Sequence, residues 1–395
     1  MIAHLFKLIW NKKKQNFVLM LEMLISFFVL FVVFTGLVYF YQNYRRPMGF
    51  DYERVWSVKY NDPGEIRDAD SLASYHAMVK RTILAMPQVE AVSFSDINVP
   101  FGDANISTTI SYNNRSEHVE RYQVDDDYKK ALAITVVEGR WFSKEDDVAR
   151  ERPAVINEVL KRNLFGNGPA LGKLIGGNGS GVAANTRVVG VIRELKDKGD
   201  LWAPSNGFYA RLDTSNQGRN GAILVTTRPG TDAAFEGRLY KVLANAFRST
   251  SIDILHLENQ RRNKMMQLLG PVIVLVAVAG FLIVNVALGL FGVLWYSINK
   301  RRSEIGIRRA VGASGKGVAR QLVMETLALS TLALTVGAFF AVQFPLLNLF
   351  NIPTGTYLTA LLLAALFIYL LAAGCAYYPG RQAASIYPAD ALHED

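Results

Sequence analysis

Four apolar stretches limit what this chain can fold into: Phe17–Tyr41, Gly270–Ile298, Leu322–Leu349 and Tyr357–Tyr378. A helix of about 20 predominantly apolar residues spans the hydrocarbon of a bilayer, and a globular core has little use for so long a run. Half of the 395 residues are hydrophobic, and these stretches take a disproportionate share of them. Residues 42–269 are mixed in character. The expected fold class is therefore membrane α-helical, with four transmembrane helices and a large α+β extracytoplasmic domain inserted between helices 1 and 2. The expected spans are 17–41, 270–298, 318–349 and 357–378.

Charge orients these spans. Between the second and third lies Asn299–Gln321, with Lys300, Arg301, Arg302, Arg308, Arg309, Lys316 and Arg320 against one acid, Glu304. Short basic loops stay on the cytoplasmic side, because Lys and Arg near span ends resist translocation. Lys7 and Lys12–Lys14 place the N-terminus on that side too. Ile2, Leu5, Phe6, Ile9 and Trp10 share one helical face, so residues 1–16 read as an interfacial helix. A cleaved signal peptide fits poorly, because the run is too long and no small-residue cleavage site follows it. Residues 379–395 form a cytoplasmic tail. The formal charge of +9 does not point to nucleic acid: residues 45–265 hold 31 Lys and Arg against 28 Asp and Glu, and most of the excess flanks the spans. Glu22 and Glu325 lie early in spans 1 and 3, where an acid faces protein or reaches the interface.

Within 42–269, strands are expected at Glu53–Tyr60, Val89–Ser95, Asn105–Tyr112, Pro153–Asn157, Arg187–Val191, Ala222–Thr227 and Ser251–His256. Helices are expected at Asp70–Met86, stopped by Pro87, at Glu158–Phe165 and at Asp232–Phe247. LENQRRNKMMQLL runs toward span 2 without a Pro or Gly, as a stalk would. In the basic loop, Ile305, Arg308 or Arg309, and Gly312 follow helical spacing, with Ile305 and Ile307 pointing in different directions. Gly312-Ala313-Ser314-Gly315 supplies turn-permissive residues before the next helix.

No enzyme motif survives inspection. A phosphate-binding GxxxxGK[ST] loop using Gly315-Lys316 needs Gly where Ala310 stands; Gly172-Lys173 has Asn167 and Leu174 at the decisive positions. The five histidines are scattered, and the single Cys375 excludes an intrachain disulfide. Asp125–Asp127 and Glu145–Asp147 read as solvated helix starts or loops rather than cation sites. No metal or cofactor is expected in this chain. Gly280, Gly289 and Gly292 in span 2 read first as a dimer interface.

The segment SEIGIRRAVGAS, followed by RQLVMETLALS, resembles the loop and third span of MacB/FtsX-like ABC transporter permeases. EGRWFSKEDD, RPAVINEVLKRNLFG, LGKLI and RVVGVIREL recur in the order of the MacB-like periplasmic core domain, and the tail YPGRQAASIYPADAL is a second match. The resemblance implies a four-span permease in the inner membrane, with cytoplasmic termini, a periplasmic core and no fused ATPase. It implies an inserted subdomain near 125–205 and a coupling loop at 299–317. Through Glu304, Ile305, Gly306, Ile307, Arg308, Arg309, Gly312 and Ala313 that loop would dock on a separate ATPase, which binds ATP and Mg. Pro388, Ala389 and Leu392 would brace the contact. Further implied partners are a second permease copy, the lipid bilayer and a periplasmic adaptor or envelope partner. The implied function is ATP-driven motion transmitted to the periplasmic domain for export or extraction of a peptide, antibiotic or lipoprotein. Two alternatives are a signalling permease that regulates an extracytoplasmic partner such as a cell-wall hydrolase, and an inert anchored binding protein.

Overall fold

In the computed structural model, which describes residues 13–61, 69–177, 186–212, 220–247, 251–300 and 302–385, the chain divides into two units. One is helical, built from residues up to Gln42 and from Leu269 onward; the other is Asn43–Leu268. The expected interfacial helix before Lys13, and Pro388, Ala389 and Leu392 of the tail, lie outside the described residues.

The helical unit contains α1 (Lys13–Tyr44), which follows from an apolar run, Phe17–Tyr41, interrupted only by Glu22, Ser26, Thr35 and Gly36. The α+β unit then contributes α2 (Ala69–Leu84), α3 (Glu158–Phe165) and α4 (Ala233–Phe247). Helix α5 (Leu257–Lys300) runs 44 residues with Pro271 inside it. The chain continues through α6 (Arg302–Ala310), α7 (Gly315–Ala341) and α8 (Thr354–Ser385). Four of these, α1, α5, α7 and α8, are long and apolar enough to cross a membrane.

Two span ends differ from the sequence reading. Helix α7 stops at Ala341 rather than Leu349; a single turn, Gln343–Leu346, follows, and Asn348 has φ +49°. Pro345 and the left-handed residues after it cannot continue a helix. Helix α8 instead passes Pro379 and ends at Ser385, because a proline removes one hydrogen bond and kinks a helix without always ending it.

Within the helical unit α1 is central. Phe27, Leu30 and Phe31 pack with Leu334 and Ala341 of α7 and with Tyr357, Ala360, Ala364 and Ile368 of α8. Leu19 and Met23 meet Val286 and Leu290 of α5 and Ala333 of α7. The spacing Ala360, Ala364, Ile368, Ala372, Ala376 puts small residues on one buried stripe of α8, which lets helices approach closely where the solvent offers no hydrophobic drive. Gly337 serves the same end: a Cβ there would lie 2.5 Å from the Phe27 ring. Gly289 lies against the Glu22 carboxylate of the same chain, whereas Gly280 and Gly292 face open space.

Among its described residues the α+β unit holds eleven strands: β1 (Val55–Asn61), β2 (Val89–Ser95), β3 (Ser107–Tyr112), β4 (Arg115–Val124), β5 (Val136–Gly139), β6 (Arg152–Asn157), β7 (Leu174–Gly177), β8 (Thr186–Ile192), β9 (Gly207–Arg211), β10 (Asn220–Thr227) and β11 (Asp253–His256). Strands β11-β1-β10-β2 form an antiparallel sheet. Alternate residues point to opposite faces of a strand, and here both faces are buried. Trp56, Val58, Phe94, Ile223 and Val225 pack under α2 and α4 through Val79, Ile83, Phe235, Leu239 and Leu243. Val55, Ala91, Ala222 and Leu224 face a second core with Phe50, Tyr122, Tyr128, Trp141, Tyr209 and Leu257.

Strand β4 touches the sheet through one pair, Ser95 with Val124, and then opens a second system. Pairings β4–β3, β3–β7, β7–β8, β8–β6, β6–β9 and β9–β4 close a six-stranded ring. Its interior holds Ile110, Val119, Ala154, Ile156, Val188 and Phe208, covered by Leu160 and Leu164 of α3. β5 lies along the far end of β8. The inserted segment therefore starts near Ser107 rather than 125, because β3 and β4 are ring strands.

Candidate functional site

The basic loop folds as a helical elbow. Helix α6 carries Glu304 in its first turn and Arg308 and Arg309 in its last, the arrangement the helix dipole favours. Arg308 donates to Glu304 at 2.5 Å, one turn back, and to Gln321 of α7 at 3.3 Å. The end of α6 is a Schellman motif: the Gly312 amide donates to the Arg309 carbonyl at 3.1 Å and the Ala313 amide to the Arg308 carbonyl at 3.0 Å. That motif needs a left-handed residue, and Gly312 has φ +105°. Ser314 then caps α7, its hydroxyl accepting from the Gly317 amide at 3.1 Å. Only Val311–Ser314 separate the two helices. The stop and start signals are consecutive in sequence, so the bend is encoded locally.

Periodicity divides α6 into two faces. Ile305, 6% exposed, packs against Ile298, Val318 and Leu322, and Gly306 is buried beside it. Glu304, Ile307, Arg308 and Val311 recur at i, i+3, i+4 and i+7 on the outer face. Ile307 is 53% exposed and Val311 84%. Gly312 and Ala313 extend this surface, and Arg309 sits at its edge, half-buried. The expectation that Ile305 offers its side chain to a partner is corrected: it is spent anchoring the elbow to its own helices. Sequence reasoning missed Val311. The available signal was its place one turn beyond Ile307, on the face opposite Ile305.

The acidic clusters of the α+β unit are tied to cations. Lys80 of α2 reaches Asp125 at 2.7 Å and Asp127 at 2.5 Å. Arg211 of β9 holds Asp126 at 2.7 Å and also pairs with Asp147, and Arg140 grips Asp146 with two bonds of 2.5 and 2.8 Å. Asp125 is not a solvated loop acid. It accepts from Ser93 at 2.6 Å and from the Phe94 amide at 3.1 Å, and burial pushes its carboxyl up despite Lys80. Asp125 thereby ties the end of β4 to β2 and α2. Nearby, Asp197 accepts from Tyr122 and from Ser205 at 3.1 Å, and burial raises its carboxyl likewise.

Four long apolar helices, a basic helical elbow and an α+β unit between the first and second helices fit a multi-pass membrane protein. Residues 17–239 match the MacB-like periplasmic core domain and residues 276–388 the FtsX-like permease C-terminal domain. The chain belongs to the MacB/FtsX-like ABC transporter permease family. It is 26% identical over 311 residues to the macrolide export ATP-binding/permease protein MacB of Sodalis glossinidius, covering 73% of this chain and 46% of that protein. It is 25% identical to the uncharacterized ABC transporter permease YvrN of Bacillus subtilis, covering 69% of each. The chain spans about half the length of the curated MacB relatives it matches. Among solved structures, the periplasmic region of MacB from Actinobacillus actinomycetemcomitans aligns at TM-score 0.38 and 16% identity, over 53% of this chain and 92% of that one.

Proposed function

We propose that this chain is the permease part of an ABC transporter, passing ATP-driven motion of an ATPase to its α+β unit. The observation that carries the reading is the outer face of the elbow, where Ile307 and Arg308 of α6 and Val311 just beyond it stand exposed. Such a surface fits a groove on a partner protein, with apolar anchors supplying affinity and the charges register. In this reading the ATPase, with its ATP and Mg, lies on the cytoplasmic side of the inner membrane. The termini share that side and the α+β unit is periplasmic. Two copies of this chain, or one with a related permease, complete the transporter. Closure of the ATPases pushes on α6, and α5, which begins directly after β11 and is separated from α6 by a single residue, carries the push outward. Cargo such as a peptide, an antibiotic or a lipoprotein is then moved outside the bilayer rather than through it.

The test is recovery of an ATPase with the full, detergent-solubilised chain from its own cell lysate, comparing wild type with Ile307→Asp/Val311→Asp. Both positions are exposed, so the fold should tolerate the pair within roughly 1 kcal/mol. A nucleotide-binding ATPase held by wild type and lost from the variant is the expected result. Recovery with both moves the contact off α6. Recovery with neither sinks the transporter reading in favour of an anchored binding protein.

A further inference from the structure

Lys196 is 1% exposed, yet among the described residues no carboxylate accepts from its amine. Its Nζ donates instead to three backbone carbonyls: Asn43 at 2.7 Å, Asp200 at 2.8 Å and Arg46 at 3.4 Å. Burial lowers the pKa of the amine, with Asp200 acting to raise it. Asn43 belongs to the last turn of α1, where carbonyls lack helical partners and a cation is favoured. The Lys196 amide also donates to the Met48 carbonyl at 3.0 Å. One residue on, Gly49 (φ +85°) presses so close to the Glu194 carbonyl that no Cβ would fit. The segment leaving α1 is thus stitched along residues 194–196.

The same loop grips the start of α5. Asp200, 4% exposed, takes Arg261 through bonds of 2.7, 3.0 and 3.2 Å. Arg261 also donates to the Tyr52 hydroxyl, and its guanidinium lies 4.5 Å from the centre of the Tyr52 ring. Three residues further, Lys264 pairs with Asp103 at 2.9 Å. Residues 43–52 and 257–264 therefore share one buried polar junction, although some 200 residues separate them in sequence. An apolar contact would hold them at lower desolvation cost. A buried cation among carbonyls tolerates only a narrow geometry, which fixes register.

We propose that Lys196, Asp200 and Arg261 form a clasp that locks the exit of α1 to the entry of α5. The two legs of the α+β unit then respond to displacement as one body. Lys196 is a positioning residue of the transmission step. The proposal rests on the transport reading above only for its use, not for its existence.

The test uses the full chain in lipid nanodiscs and two single variants, Lys196→Met and Arg261→Gln. Hydrogen exchange is followed at residues 43–52 and 257–264 and in strands β1, β10 and β2. A clasp makes the effect reciprocal. Lys196→Met speeds exchange at 257–264, and Arg261→Gln speeds it at 43–52, each by about ten-fold, with sheet protection unchanged. Acceleration confined to the substituted leg, or shared equally by the sheet, overturns the clasp. Arg261 is the more exposed of the two, so its variant carries the test if Lys196→Met fails to fold. With the co-purifying ATPase present, both variants keep hydrolysis within about two-fold of wild type but lose the ATP-driven change in exchange across the α+β unit. If that change survives in both variants, the clasp has no role in transmission. If wild type shows no such change, transmission itself fails while the reciprocal exchange result still stands.

Discussion

At Asp96 the α+β unit keeps a half-buried carboxylate where its neutral form is favoured. Burial pushes the group up to about 7, against the lowering influence of the Asn98 and Gln123 amides and of Arg121. The folded state thus binds a proton that the unfolded chain releases near pH 4, so this group's contribution to stability falls as pH rises between about 4 and 7. Counting its partial solvent access, the cost above pH 7 is on the order of 2 kcal/mol. Asp96→Asn should stabilise the chain at pH 8 and change little at pH 4, measured by urea unfolding of the α+β signal in detergent. An unchanged difference between the two pH values would assign the slope to other acids, of which Asp125 and Asp197 are raised in the same direction. None of this was legible in the sequence. Asp125 looks like one acid in a polar turn, and its partner Lys80 lies 45 residues away.

Elements with local signals were legible; those defined by their neighbours were not. Asn157 caps α3 by accepting from the Leu160 amide at 2.9 Å, and the expected Glu158–Phe165 matches the helix. Strand β2, with apolar residues and a proline-closed helix before it, also falls where expected. Strand β4 was missed although Asn113-Asn114 is a two-residue hairpin signal, with Asn113 at φ +52°. Its sequence RSEHVERYQV looks solvated, and only tertiary packing buries its apolar residues, Val119 in the ring core and Tyr122 and Val124 in the core shared with the sheet. β5, β7 and β9 are four or five residues long and gain definition from pairing alone. For α6 the period was readable but its phase was not. Which isoleucine faces inward depends on Val318 and Leu322, which belong to the next helix. The α6 stop is local, so it can be tested locally. Gly312→Val forces a β-branched residue into the left-handed region at a cost of about 1–2 kcal/mol or more, whereas Gly312→Asn tolerates it. In the same pull-down the Val variant should lose the ATPase and the Asn variant should keep most of it. Equal recovery would separate docking from elbow geometry.

At the scale of the whole chain, composition located the four apolar helices and the α+β unit between the first two, because lipid and water demand opposite surfaces. The resemblance of a few motifs supplied the family, and domain matches over residues 17–239 and 276–388 agree with it. The internal division of the α+β unit has a consequence for the order in which it can form. The ring strands lie between Ser107 and Arg211, so the ring can close from one continuous stretch. Strand β1 cannot: its partners are β10 and β11, which end at Thr227 and His256. During synthesis the earliest strand is therefore the last to be secured, and it waits with apolar edges open while the insert matures. Nascent chains halted after Leu212 should show a protease-resistant ring and a cleavable β1 and β2, and chains halted after Leu257 should protect all three. Resistance of β1 at the earlier stop would mean that some other contact shelters it. A late-closing first strand leaves an interval on each newly made molecule when a chaperone, or a second copy's β10, can occupy the place of the chain's own.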